Sequence, residues 1–244
     1  MAQKIYIYGK HAIEEVLTHA PAIVRKIYLA PGADTRLRDL ISKSGVTTEK
    51  LDPRRATSMV ERNAPHQGVV ALISLGQLVM PVDKFMDTLK PAPGTLLVLL
   101  SEVQDPHNVG AVIRSSAALG ASAVLIPTQK QSPITPAVIK ASAGMACHLP
   151  LVELPNMQQG LALLKKKGFK VYGLSAAGSP IEAQPFNAPA VLVLGNEAAG
   201  VAPAARALCD EMLSIGMEEG AESLNVAAAA SIALFAWRLR QGRA

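Results

Sequence analysis

Apolar and polar positions alternate along this chain in two registers. Short, nearly continuous apolar runs are separated by longer stretches with the spacing of one helical face. In residues 1–75 the pattern predicts a helix over His11–Thr18, a strand over Val24–Ala30 and a helix capped by Thr35 that runs to Ser44 and ends at Gly45. A strand over Val46–Leu51, a helix opening at Pro53 and a strand over Gly68–Ser74 complete a small α/β unit. From Thr95 onward the alternation resumes, with strands predicted at 95–101, 122–127, 148–153, 170–175, 190–195 and 211–215. Helices are predicted at 109–119, 136–146, 156–167, 203–208 and 224–240, the third capped by Asn156 and closed by Gly168. Strands that are apolar throughout, such as Ala190–Leu194, belong in a parallel sheet covered on both faces, so the fold class is α/β. Gly76–Gly94, with Pro81, Pro91 and Pro93 and a short helical piece near Val82–Leu89, reads as a linker. The expected division is 1–75, a linker over 76–94, and 95–244.

The stretch from Gln104 to Ala121 stands out within this pattern. A strand ends at Leu100, a polar turn follows at Asp105–Asn108, and a helix runs from about Val109 to a stop at Gly120. Val109, Val112, Ile113, Ser116 and Ala117 fall on one packed face. Arg114 is the one charge on that helix, about 100° round from Ile113. An arginine set among Gly, Ala, Ser and Val is expected to need a partner: a carboxylate, a phosphate or an RNA edge.

Charge sharpens the division. The 244 residues carry a net charge of +5, which favours a polyanionic partner. Residues 1–75 hold 11 Lys/Arg against 7 Asp/Glu, and the rest hold 13 against 12, so the excess lies in the first part. Lys10, Arg25, Lys26, Arg54, Arg55 and Arg62 are the candidate phosphate contacts there; the alternative is a solvated surface. Aromatic residues make up only 4%, so rows of stacking rings are excluded as the main means of RNA binding. Cys147 and Cys209 form neither a disulfide framework nor a metal-ligand spacing, and a reducing cytoplasm is the simplest expectation. Met1-Ala-Gln-Lys has no signal-peptide character, and the apolar run Leu224–Trp237 is shorter than the roughly 20 residues a bilayer span needs. No membrane association is expected.

Three loops follow predicted strand ends, where open parallel sheets place their ligands. They are Asp105–Asn108 with Arg114 beyond, Gly195–Gly200, and Ile215–Val226. The chain has no GxGxxG opening a helix after its first strand, no phosphate-binding P-loop, no HExxH or paired His/Cys cluster and no GxSxG. Those absences count against ordinary dinucleotide enzymes, nucleotide triphosphatases, metalloenzymes and serine hydrolases. The five histidines, His107 included, read as surface or packing residues. Glu197 between two glycines reads equally as a solvated turn carboxylate, and Ser223 as the cap of the last helix with Asn225 in its first turn.

Taken together, the three loops resemble the motifs of the SpoU (TrmH) branch of the SPOUT RNA methyltransferases. Asp105-Pro-His-Asn-Val-Gly110 with Arg114 matches the first motif, Leu194-Gly-Asn-Glu197 with Gly200 the second, and Ile215, Met217 and Ser223-Leu-Asn-Val226 the third. IYGKHAIEEVL near the start and HQGVVA at His66–Ala71 resemble the small substrate-binding domain, similar to ribosomal protein L30e, that precedes the catalytic domain in many members. The resemblance implies a C-terminal trefoil knot, a homodimer with its sites at the interface, and methylation of a ribose 2′-hydroxyl, most simply a guanosine of 23S rRNA, and no role on DNA. It further implies S-adenosyl-L-methionine held around Gly195, Asn196, Gly200, Ile215, Met217, Ser223, Leu224 and Asn225, with Asn108, Arg114, Glu197, Ser223 and Asn225 at the chemistry. Arg114 then acts either as a deprotonated base or as a cation that orients phosphate and stabilises developing oxyanion charge. Asn108 fixes Arg114 or the ribose, and Glu197 pairs with a cation or a partner loop. Ala198 and Gly216 depart from the family pattern, which favours glycine and proline there. Three other readings compete: a tRNA methyltransferase, a non-catalytic RNA-binding assembly factor that kept the fold, and an ordinary nucleotide-binding α/β enzyme.

Overall fold

The computed structural model describes residues 4–60, 64–196 and 199–242. The chain opens with β1 (Lys4–Tyr8), α1 (Lys10–His19), β2 (Val24–Leu29), α2 (Thr35–Ser44), β3 (Thr48–Lys50), α3 (Pro53–Met59) and β4 (Val69–Ser74). These build a four-stranded sheet in the order β1-β4-β2-β3. The first strand was not anticipated: in Lys4-Ile-Tyr-Ile-Tyr8 only Ile7 is fully buried, and the two tyrosines keep the run from reading as apolar. The cap of α2 is Asp34, whose side chain accepts from the Leu37 N–H, rather than Thr35. An acceptor one residue earlier reaches the same orphan amides of the first turn.

The next elements are α4 (Leu75–Leu78), β5 (Val79–Pro81), α5 (Val82–Thr88), β6 (Leu96–Leu100), α6 (Pro106–Leu119), β7 (Ala123–Pro127), α7 (Pro136–Ala141) and β8 (Leu151–Leu154). They are followed by α8 (Met157–Lys166), β9 (Lys170–Pro180), β10 (Ala190–Leu194), α9 (Pro203–Arg206), β11 (Glu211–Ser214) and α10 (Val226–Arg240). The large sheet has seven strands in the order β11-β9-β10-β6-β7-β8-β5, and every neighbouring pair is parallel. The stretch expected as a linker therefore supplies an edge strand, β5, and two core residues, Phe85 and Met86. Its prolines sit where an edge tolerates them: Pro81 ends the strand.

Each strand of the sheet interior is buried on both faces. Leu96, Val98 and Leu100 of β6 join a core beneath α6, α7 and α10, while Leu97 and Leu99 join a second core beneath α5, α8 and α9. The first core does not stop at the domain boundary. Ile7, Ile13, Val16, Ile27 and Ile73 of the small domain belong to the same cluster as Val138, Ile139 and Ala146 of the large one. After β10 the chain runs out to the far edge as β11, then returns across the sheet to pack α10 along α6.

Candidate active site

Parallel strands put the ends of β6, β10 and β11 on one edge of the sheet, so the three motif loops meet there. α6 starts earlier than its apolar pattern suggests. Pro106 is its first residue, and the Asp105 carboxylate caps it by accepting from the His107 N–H at 2.9 Å. Asn108 therefore sits in the first helical turn rather than in a preceding loop. At the other end Gly120 closes the helix with φ 87°.

Asparagines stitch the loops together. Asn225, not Ser223, caps α10: its side-chain oxygen accepts from Ala227 N–H at 2.9 Å and Ala228 N–H at 3.4 Å. Its amide nitrogen then donates to Asn108 Oδ1 at 2.9 Å, which joins the starts of α10 and α6. The positive ends of two helices are thus held side by side. Asn196 ties the second loop to the turn after β6 that leads into the first, by donating to the Glu102 carbonyl at 3.1 Å. It also exchanges both backbone hydrogen bonds with Gly200 at 2.9 Å, pinching the second loop closed.

The second and third loops, with the ends of β9, β10 and β11, enclose a cleft of about 340 Å³. Of the residues singled out in the sequence, Gly195, Asn196, Gly200, Ile215, Met217, Ser223 and Leu224 line it. Asn225 does not; it stands between the lining residues Leu224 and Val226 and acts through the cap and the bridge to Asn108. Gly195 is there for space. A β-carbon on it would lie 2.1 Å from the Gly200 carbonyl carbon and 2.3 Å from Val201 N. The structure adds Ser175, Ala176, Arg206 and Glu222 to the wall, none marked by a motif. Ser175 and Ala176 reach it because the pairing of β11 with β9 jumps from Met212↔Gly173 to Leu213↔Ser179, which leaves residues 174–178 out of register beside the cleft. A strand read only as 170–175 hides that irregularity.

Arg114 corrects the expectation of a shielded charge. Its side chain is exposed, and it makes no hydrogen bond or ion pair among the described residues. The face that α6 does bury is Val109, Gly110, Val112, Ile113 and Ser116. Arg114 lies six residues beyond Asn108, about 9 Å along the helix axis. Glu197 and Ala198 lie outside the described residues, as do Arg62 and the side chains of Arg54 and Arg55. The remaining basic candidates are engaged on the small domain: Lys10 with Asp34 at 2.9 Å, Lys26 with Glu49 at 2.7 Å, and Arg25 with the Gln77 side-chain oxygen at 2.9 Å. The Lys10 and Lys26 pairs are exposed, so an incoming phosphate can exchange with the carboxylates. Burial pushes the Cys147 thiol up to about 12 and the Cys209 thiol up to about 11, which leaves both as neutral packing groups rather than nucleophiles.

A parallel α/β domain with a cleft at its strand ends, joined to a small domain with a mixed four-stranded sheet, defines a SPOUT-class protein. Solved structures share the whole arrangement. The SpoU methyltransferase AviRb from Streptomyces viridochromogenes superposes with a TM-score of 0.83 at 27% identity, covering 98% of this chain and 90% of AviRb. Its complex with AdoMet gives a TM-score of 0.84 at 24% identity, covering 99% and 92%. The model of the SpoU rRNA Methylase family matches residues 95–235, and that of the RNA 2′-O ribose methyltransferase substrate-binding domain matches residues 6–78. The chain belongs to the SpoU rRNA methylase family. It is 36% identical to the 23S rRNA (guanosine-2′-O-)-methyltransferase RlmB of Pseudomonas syringae, over 96% of this chain and 95% of that protein. RlmB of Pseudomonas putida is 34% identical over 99% of both.

Proposed function

We propose that the protein methylates the ribose 2′-hydroxyl of a guanosine in 23S rRNA, with S-adenosyl-L-methionine as methyl donor. The observation that carries the reading is the cleft itself: the second and third motif loops form its wall, and the first is tied to them through the Asn108–Asn225 hydrogen bond beside it. The residues present suit the donor. Leu194, Val201, Leu213 and Val226 offer apolar walls for an adenine ring, and Asn196, Ser223, Glu222 and loop backbone offer partners for a ribose and an amino acid. The bound donor supplies an electrophilic methyl group on a sulfonium.

The protein's own groups do the rest. Gly195 and Gly200 keep the second loop tight, so that backbone approaches the donor closely. The Asn108–Asn225 bridge fixes the rim against which the ribose is aligned, and alignment of this kind lowers barriers by roughly 7–11 kcal/mol. Arg114 acts as a cation. Its planar fork of donors orients the RNA phosphate and offsets the developing negative charge on the 2′-oxygen rather than removing its proton. The small domain, with Lys10, Arg25, Lys26 and the basic residues at 54, 55 and 62, selects the RNA.

The working form is a homodimer. Ile232, Phe235 and Leu239 lie three and four residues apart on α10 and are 40%, 50% and 47% exposed. Such a stripe suits an apolar contact with a second copy, which would bring Arg114 toward the partner's cleft. Phe235→Glu is expected to give monomers in sedimentation; an unchanged assembly would remove this stripe from the interface.

The test of the activity is a map of 2′-O-methylation on 23S rRNA and tRNA, made in cells with and without the protein and joined to calorimetry with S-adenosylmethionine. One lost rRNA guanosine site and saturable donor binding are expected. A lost tRNA site would shift the substrate, and no donor binding would favour a non-catalytic assembly factor.

A further inference from the structure

The sequence offers no metal-binding spacing, but folding assembles one group of ligands across the domain seam. Glu15 and His19 lie four residues apart on α1 and so share one helical face. His148 comes from the large domain, immediately after the helical turn Met145–Cys147. Its Nε2 is 2.6 Å from Glu15 Oε2, and His19 Nε2 is 3.6 Å from the same oxygen. The three donor atoms lie within 4.8 Å of one another. The two imidazole rings lie against each other, tilted by 36°, with centroids 3.7 Å apart. Two imidazole nitrogens and one carboxylate oxygen gathered this closely are a donor set that a divalent ion accepts.

Backbone packing builds this arrangement. A β-carbon on Gly144 would lie 2.5 Å from Glu15 Cβ and 3.4 Å from Ala12 Cα, so α1 rests directly on the turn that carries His148. Gly144 has φ +82°, which suits glycine alone among ordinary residues. Val16 and Ala146, flanking the ligands, are fully buried in the shared core. Glu15 and His148 are therefore anchored, whereas His19, with 41% of its side chain exposed, is free to swing.

We propose that Glu15, His19 and His148 form a zinc-binding site that pins the small domain to the methyltransferase domain. Two imidazoles and one carboxylate, with room for water at the fourth position, are a zinc donor set. In a tetrahedral zinc site neighbouring ligand atoms stand about 3.4 Å apart. Capture of the ion thus opens the short His148–Glu15 contact slightly and rotates the exposed His19 ring away from that of His148. The site lies on the small-domain seam, not in the cleft, and its occupancy does not depend on the proposed methyl transfer.

The test uses the full chain, stripped with a chelator and titrated with zinc chloride against a chromophoric zinc indicator. One saturable equivalent and a higher Tm with zinc are expected. His19→Ala and Glu15→Gln should each weaken binding more than about tenfold. His19 is a surface residue, so its loss leaves the core folded. Cobalt(II) gives an independent readout: the intense visible absorption of a four-coordinate site should appear in the parent chain and vanish in His19→Ala. Absence of a saturable equivalent, or one that survives unchanged in either variant, overturns the site.

Discussion

The Asn225 side chain performs two separable tasks, and a substitution series tells them apart. Its oxygen caps α10, and its nitrogen bridges to Asn108. Removing an N-cap costs about 1 kcal/mol. A hydrogen bond contributes about 0.5–1.5 kcal/mol net, and because Asn225 is exposed the bridge belongs near the low end. Asn225→Ala should therefore cost about 1.5 kcal/mol. For a chain of this size each kcal/mol lowers Tm by about 2–4 °C, so the expected fall is about 3–6 °C. Asn225→Ser keeps a cap of equal quality but is too short to reach Asn108, and should lose only about 0.5 kcal/mol, or about 1–2 °C. Methyl transfer should not separate the two variants: both should lose more than about tenfold, because the rim is unbridged in each. The assays are thermal denaturation and single-turnover transfer to rRNA, with Asn108→Ala completing a double-mutant cycle. Equal destabilisation by Ser and Ala would refute the cap, and additive effects of the Asn108 and Asn225 changes on transfer would refute the bridge.

Gly195→Ala should force the second loop open, since the new methyl would sit 2.1 Å from Gly200, and calorimetry should read a loss of donor affinity of at least about tenfold with a stability cost of about 1–3 kcal/mol; binding within twofold of the parent would contradict the close packing. Arg114→Lys keeps the charge but loses the planar fork, so turnover on rRNA should fall while donor binding holds, and near-parent turnover would contradict the role given to Arg114. The buried thiols predict an alkaline limit. Both stay protonated in the fold up to about 12 for Cys147 and about 11 for Cys209, whereas unfolded thiols ionise near 9.0. Their contribution is complete below pH 9 and is lost as pH rises toward those values, so urea stability should decline above pH 9 less steeply in a Cys147→Ala, Cys209→Ala double variant than in the parent.

The large sheet was legible because its strands are apolar on both faces, and runs such as Leu96–Leu100 leave little else to be. The motif loops were legible for a different reason: their residue types and order match a family. What escaped depended on neighbours distant in the chain. The run Val79–Pro81 looks like linker until β8 pairs with it. The apolar periodicity of α6 finds its buried face but not its first turn, because Pro106–Asn108 are helical through a cap and not through burial. Arg114 looked trapped by its small apolar neighbours in sequence, yet the helix turns it outward. Ser223 and Asn225 are both good caps by residue type, and only the bridge to Asn108 distinguishes them. Ser175 and Ala176 reach the cleft through a register jump that no local pattern encodes.

The continuous core beneath the domain seam has a consequence for the substrate. Ile7, Ile13 and Val16 pack in one cluster with Val138, Ile139 and Ala146, so moving one domain against the other would expose apolar surface on both. The span from the basic small domain to the cleft is then a fixed ruler. On the proposed function, an RNA gripped at one end would have to supply the reach to the other by its own bends and unpaired nucleotides, and the enzyme would select among RNAs by their folded shape as much as by the base it modifies.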